Sequence, residues 1–218
     1  MTARRIGDDA GPWPAFVDLL SATTLLFIVL FAVFTVPGLK AKKEQADVKL
    51  QMDSLEVRLK SALAGRRVTI PKRIGNRLLL RIEGDATFPV NQSDLSSLSS
   101  EGKLILRQAA TAIRADSIMD RFVFQLEVVG HASREGATTT NWPLSASRAA
   151  AVAQFLVDSI HLNPCKVAAI GRANYYPANA ASTSVIADPR DRRIEIEVVP
   201  SYATDTVQAK LLARCPKR

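Results

Sequence analysis

Residues 122–152 read FVFQLEVVGHASREGATTTNWPLSASRAAAV, and the period of the apolar pattern changes midway. Phe122, Phe124, Leu126 and Val128 alternate with other residues up to Gly130, which predicts a strand. A loop follows. From Leu144 to Ile160 the apolar positions recur at helical spacing, which predicts a strongly amphipathic helix. Strand, loop and helix in succession are the building unit of an α/β domain.

The flanking sequence extends that unit. Val68-Thr69-Ile70 and Leu78-Leu79-Leu80-Arg81-Ile82 read as strands, with Gly75-Asn76 as the turn between them. Asp85 to Val90 reads as a loop with one aromatic, Phe88, to bury. Leu104, Leu106, Ala109, Ala110 and Ile113 make a helical stripe. Val167 to Gly171 is a short strand. Asp188-Pro189 breaks the chain before a last strand, Arg193 to Val199, with Ile194, Ile196 and Val198 on one face. The expected result is an α/β domain over residues 66–200 and a C-terminal tail, 201–218, with a short helix from Thr206 to Ala213.

The N-terminal side is of another kind. After a polar stub, residues 1–12, comes WPAFVDLLSATTLLFIVLFAVFTV at 13–36. This run is long enough to cross a bilayer as one helix, which takes roughly 20 residues at about 1.5 Å each. It is longer than a signal-peptide core and no small-x-small cleavage site follows it, so a retained anchor is expected. Its one charged residue, Asp18, costs on the order of 3 kcal/mol within a membrane. Asp18 shares a helix face with Ala22 and Leu25, and Ser21 adjoins it. Small and hydroxylated residues suit close helix packing in lipid, so Asp18 is expected to point at protein. Lysines and arginines flank the run on both sides and give no clear orientation.

Val36-Pro37-Gly38-Leu39 reads as a helix exit. Residues 37–65 then form a linker helix in which Val48, Met52, Leu55, Leu59 and Ala62 make a short heptad seam ending at Gly65. The expected use of the seam is a parallel dimer contact or a plug; the alternative is an ordinary amphipathic linker.

Composition limits the function. The chain has 218 residues, 47% hydrophobic and 23% charged, with a net charge of +8. That charge points to an anionic partner: nucleic acid, anionic lipid or cell-wall polymer. The membrane span, and the lack of a basic run interleaved with aromatics, weigh against nucleic acid. There is no Cys/His cluster with metal spacing, and no cofactor motif. The two cysteines, Cys165 and Cys215, are candidates for a disulfide if the domain lies outside the cytoplasm. His131 and Ser133 sit two apart, but there is no Gly-x-Ser-x-Gly elbow and no acid evidently placed to orient the histidine, so an enzyme is not expected.

The stretch Gly130-His131-Ala132-Ser133-Arg134-Glu135-Gly136, then Asn141-x-x-Leu144-Ser145-x-x-Arg148-Ala149-x-x-Val152, and later Asp191-Arg192-Arg193-Ile194-Glu195, resembles the OmpA-like peptidoglycan-binding domain over about residues 68–200. The resemblance implies a site for the peptide stem of the cell wall. Arg148 would take the clamp position on a stem carboxylate, Arg193 would be the second arginine, and Asn141, Leu144 and Ser145 would shape the loop and helix start. The family's acid, fifteen residues before the clamp, is Ser133 here, and its usual Thr is Ala132. A serine brings no charge to a stem ammonium, which puts wall binding in question and leaves a scaffold as the alternative.

Joined to Trp13…Val17-Asp18-Leu19-Leu20-Ser21-Ala22, the layout resembles the B subunit of a MotB-type stator. That resemblance implies a homodimer inside a pentameric ring of multi-span A subunits, with Asp18 as carrier of an ion, here a proton, and Ser21 beside it. It implies an inner-membrane protein with its N-terminus in the cytoplasm and its domain in the periplasm. The short, nearly neutral stub is closer to the B subunits of Zorya-type anti-phage defence motors than to flagellar ones. The alternatives are a flagellar B subunit and a static wall tether.

Overall fold

The computed structural model describes residues 12–114, 123–134, 137–179 and 188–201. Phe122, Glu135, Gly136, Thr206 to Ala213 and Cys215 lie outside the described residues. The chain divides into two units, Met1–Gln45 and Ala46–Arg218.

Helix α1 runs Trp13–Ala62 and contains Pro37. The exit expected at Val36-Pro37-Gly38-Leu39 is therefore not an exit. A proline inside a helix removes one N–H···O=C bond and crowds the carbonyl four residues back. Cooperative propagation from residues on both sides carries the helix through.

The second unit is a five-stranded sheet with helices packed on one face. Its strands are β1 (Val68–Ile74), β2 (Arg77–Glu83), β3 (Val123–His131), β4 (Val167–Gly171) and β5 (Arg193–Ser201), in the order β1-β2-β5-β3-β4. β3 and β4 are parallel and the other pairs antiparallel. The helices are a short turn α2 (Gly84–Thr87), α3 (Ser100–Arg114) and α4 (Thr138–Asp158). Ile74 pairs with Arg77 across Gly75-Asn76, the expected turn. The strand-loop-helix unit read from residues 122–152 is the β3–α4 crossover to β4.

Alternation decides which side chains enter the core. Leu78, Leu80 and Ile82 on β2, Phe124, Leu126 and Val128 on β3, and Ile194, Ile196 and Val198 on β5 are all buried there. The opposite face carries charge. Glu127 and Glu197 stand directly opposite each other, a repulsive pairing, and Arg77 bonds both at 3.1 and 2.8 Å.

Two expectations about helices need correction. The seam residues Val48, Met52, Leu55 and Leu59 are each 1–2% exposed and lie in this unit's own core, with Leu63 beside them. Asp53 of the same segment pairs with Arg73 of β1. The seam is used within the chain, so it supplies no dimer contact, and the folded unit begins at Ala46 rather than at residue 66. A period of 3.5 identifies an apolar stripe but not the surface that covers it. On α3, Ile105 is buried and Leu104 is exposed, so the stripe runs through Ile105, Leu106, Ala109, Ala110, Ala112 and Ile113.

Helix α4 begins six residues before the expected Leu144 and includes Pro143 within its second turn. It lies very close to the sheet. A Cβ on Gly130 would stand 2.1 Å from the Ser145 carbonyl oxygen, and one on Gly171 would stand 2.7–2.8 Å from Ala146. Gly130 and Gly171 face each other in the β3–β4 register. Two glycines side by side thus let the helix backbone rest on the strands.

Candidate functional site

In the first unit, Asp18, Ser21, Trp13, Pro14 and Val17 line a shallow concavity on the surface of α1. Ser21 Oγ donates to the Val17 carbonyl at 2.7 Å. Thr23 and Thr24 donate to Leu20 O at 2.9 and 2.7 Å, and Thr35 to Phe31 O at 2.6 Å. Every hydroxyl proton of residues 13–36 is therefore held by the helix itself, as an apolar surrounding requires. Asp18 stands exposed on this helix, as do its neighbours.

In the second unit the motif residues gather where β3 ends and α4 begins. Asn141 Nδ2 donates to the Ser133 carbonyl at 3.0 Å, which closes the loop between the two elements. Ser133, Asn141, Ser145 and Arg148 are all buried, and Leu144 is half-buried. Arg148 Nε donates to Gln92 O at 2.8 Å and Nη2 to Pro89 O at 3.1 Å, so the guanidinium pins the loop after α2. It also lies 5.8 Å over the Phe88 ring. Burial pushes the Arg148 guanidinium below its usual range; Arg192 adds to that and Asp85 opposes it. Two of its five N–H groups serve these two carbonyls.

Arg193 is not beside Arg148. It shares a sheet face with Glu195 and with its register partner His131, opposite the face of Ile194 and the helices. Its Nε donates to Glu195 Oε1 at 2.7 Å, Nη1 to Asp191 O at 3.2 Å and Nη2 to Tyr176 O at 3.1 Å. The expected second clamp arginine is thus an interior brace. The arginine that reaches the electrostatic surroundings of Arg148 is Arg192, whose Nη2 lies 3.4 Å from Asp85 Oδ1. Gly84 N donates to Arg192 O at 2.8 Å and brings that acid into range. Sequence reasoning missed Arg192 and Asp85. The signal was present: stepping back by two from the core residue Ile194 puts residue 192, not 193, on the helix side.

The brace has an acid at its centre. Glu195 accepts from Arg193 and from Arg81 Nε, both on Oε1 and the latter at 2.9 Å, while Oε2 lies 3.1 Å from His131 Nε2. Burial pushes the Glu195 carboxyl up, but the His131 hydrogen bond and the Arg193 charge outweigh it and hold it far below the carboxylate range. Burial pushes His131 down, so the ring is neutral near pH 7. An acid does orient this histidine, contrary to the sequence reading, from 64 residues away.

Ser145 ties the site to the loop after β4. Its Oγ donates to Trp142 O at 2.9 Å and accepts from Ala173 N at 2.9 Å. Cys165, in the turn Pro164–Lys166, is disulfide-bonded. Among the described residues no group of three or more His, Cys, Asp or Glu could hold a metal ion.

Residues 87–192 match the model of the OmpA family. The solved cell wall anchor of the T6SS from Pseudomonas aeruginosa is 28% identical, with a TM-score of 0.52 over 66% of this chain and 98% of that one. A putative MotB-like protein from Desulfovibrio vulgaris is 15% identical, with a TM-score of 0.56 over 75% of this chain and 99% of that one. The periplasmic domain of Helicobacter pylori MotB is 16% identical, with a TM-score of 0.51 over 71% and 93%. The last two likenesses are of fold alone. No curated protein sequence matches the chain. Behind an N-terminal helix long and apolar enough to cross a membrane, the chain thus carries an OmpA-like α/β domain, matched to the family over residues 87–192.

Proposed function

We propose that the chain is the B subunit of a proton-driven inner-membrane stator that holds the cell wall. Residues 13–36 span the membrane once, with residues 1–12 in the cytoplasm and the OmpA-family domain in the periplasm. Asp18 takes up and releases the proton, with Ser21 beside it. The observation that carries the reading is the union, in one chain, of an acid-bearing apolar helix and a wall-binding fold. A carboxylate this costly in lipid needs a task, and a wall-held domain provides a fixed point against which a surrounding ring of multi-span subunits turns. With the seam buried in the core, pairing of two B subunits falls to the small face around Ser21 and Ala22. In this reading the motor is a non-flagellar one, such as an anti-phage defence system. No cofactor and no bond-making chemistry is required.

The wall site of this reading is the junction of β3 and α4 at Ser133, Asn141, Leu144, Ser145 and Arg148, with Arg192 and Asp85 replacing Arg193. Arg148 and Arg192 supply cations for a stem carboxylate. Co-sedimentation of the full chain in detergent with purified sacculi tests it. Arg148→Lys, which keeps the charge and loses the fork, weakens binding at least tenfold, and absence of binding by the unsubstituted chain makes the domain a scaffold.

A static tether is the second reading, and the 28% likeness to a cell wall anchor favours it. A tether tolerates Asp18→Asn with full function and recruits no multi-span subunit; a stator does not tolerate it.

A further inference from the structure

In the folded unit the described aromatics divide in two. Phe88, Phe124 and Phe155 are buried at 1–3% exposure, whereas Trp142, Tyr175 and Tyr176 are 51–60% exposed. The exposed three are neighbours. The Trp142 and Tyr175 rings meet edge-on, with centroids 5.7 Å apart. Arg172 lies 4.8 Å over the Tyr176 ring.

The backbone under them is held at many points. Arg172 N donates to Gly130 O at 3.0 Å, Ala132 N to Ala173 O at 2.8 Å, and Tyr175 N to Arg172 O at 3.3 Å. Ala173 N is held by Ser145 Oγ, and Tyr176 O by Arg193. Ala173 is fully buried with φ of 45°, a left-handed conformation that disfavours a residue with a Cβ. Such strain persists only where its surroundings over-determine it, and it concentrates at binding sites. Here it fixes a loop whose large rings remain in solvent, although burying them would gain more.

We infer that Trp142, Tyr175 and Tyr176 form a saccharide platform, which takes the glycan backbone of the wall polymer beside its stem-peptide site. The inference rests on the wall-binding reading. The negative face of an aromatic ring attracts the weakly positive C–H face of a pyranose. An edge-on pair leaves each ring at least one face away from the other. The Tyr176 hydroxyl and the Arg172 guanidinium supply the polar contacts that sugar hydroxyls and N-acetyl groups need. The platform is continuous with the stem site, because Trp142 follows Asn141 on α4 and Ser145 of the same helix holds the loop of Tyr175 and Tyr176 through Ala173 N. The arginine at its edge suits an anionic polymer.

The test uses the full chain in detergent with Trp13→Phe, so that Trp142 alone reports fluorescence. Three probes are titrated: glycan strands stripped of peptide by an amidase, the free stem peptide, and intact sacculi. Peptide-free glycan is expected to change Trp142 emission. Tyr175→Ala and, by co-sedimentation, Trp142→Ala are expected to weaken glycan binding at least tenfold. Tyr175→Phe should retain it, stem-peptide affinity should stay within twofold, and the melting temperature should not move. Failure of the chain to bind peptide-free glycan overturns the platform, as do alanine variants that bind it unchanged. If stem peptide still binds in those cases, the wall reading survives alone. If glycan binds with loss in the alanine variants while stem peptide does not bind, the platform stands and the stem site falls. Loss of partition into anionic vesicles, with glycan binding intact, would assign the rings to a membrane surface and overturn the proposal.

Discussion

Ser145 Oγ accepts the backbone N–H of Ala173 at 2.9 Å, joining the first half of α4 to the loop after β4 across 28 residues of sequence. Both residues are fully buried. Removing the hydroxyl leaves a buried N–H without its acceptor, which costs about 1–3 kcal/mol. Ser145→Ala is therefore expected to lower unfolding free energy by that amount in urea titrations and to speed amide exchange at Ala173 and Tyr175. Unchanged exchange would show that the loop does not depend on this bond.

The helix segment from Ala46 to Ala62 belongs to the domain core. Leu55→Ala is expected to cost about 2–5 kcal/mol without altering oligomeric state, as a buried leucine does. A fragment beginning at residue 66 lacks Val48, Met52, Leu55, Leu59 and Leu63 of the core and is expected to aggregate, whereas one beginning at residue 46 is expected to fold. Size-exclusion chromatography of the two fragments decides this.

Acid stability follows from His131. Its folded-state pKa lies below the ordinary value of about 6.5, so the native state binds fewer protons than the unfolded chain. Stability is full above that value and declines as pH falls below it, by at most about 1.4 kcal/mol per pH unit. The buried Nδ1 has no hydrogen-bond partner among the described residues, so a protonated ring would add an unpaired N–H there. Glu195, held down by His131 and Arg193 against its own burial, adds a second loss starting near the ordinary carboxylate range, about 4.3. His131→Gln is expected to flatten the decline that begins at about pH 6.5 and to leave the one that begins near the carboxylate range; chemical denaturation across pH measures both.

The strands, the β1–β2 turn and the core face of the sheet were legible because alternation reports burial directly. Phe124, Leu126, Val128, Ile194, Ile196 and Val198 enter the core as read. What covers a stripe was not legible. The seam at Val48, Met52, Leu55 and Leu59 has the same spacing whether its partner is another chain or its own sheet. Register was also fragile. Naming Arg193 rather than Arg192 as the second arginine beside Arg148 moves the side chain to the opposite face, since a strand's period is two. The motif brought Asn141, Ser133, Ser145 and Arg148 to one place. The contact of Arg148 with Pro89 and Gln92, and of His131 with Glu195, depends on distant chain meeting in the fold and has no local signature.

Ser133 stands where the resemblance to the OmpA-like domain implies an acid, and it is buried. Ser133→Asp is expected to strengthen sacculus binding by roughly tenfold, because a charge-assisted hydrogen bond to a stem ammonium is worth about 1.5–3 kcal/mol. It should also lower the melting temperature, since a carboxylate enters a closed site. Stronger binding that vanishes at high salt supports the ion pair. Unchanged binding would mean that the stem ammonium lies elsewhere.

Proton flux tests the central claim most directly. The chain, co-reconstituted with the multi-span subunit that the proposed stator requires, is placed in vesicles with an interior pH dye under an imposed gradient. The account predicts a flux that Asp18→Asn abolishes while the complex still assembles, and that Asp18→Glu restores in part. Equal flux from the unsubstituted and Asp18→Asn complexes would contradict it.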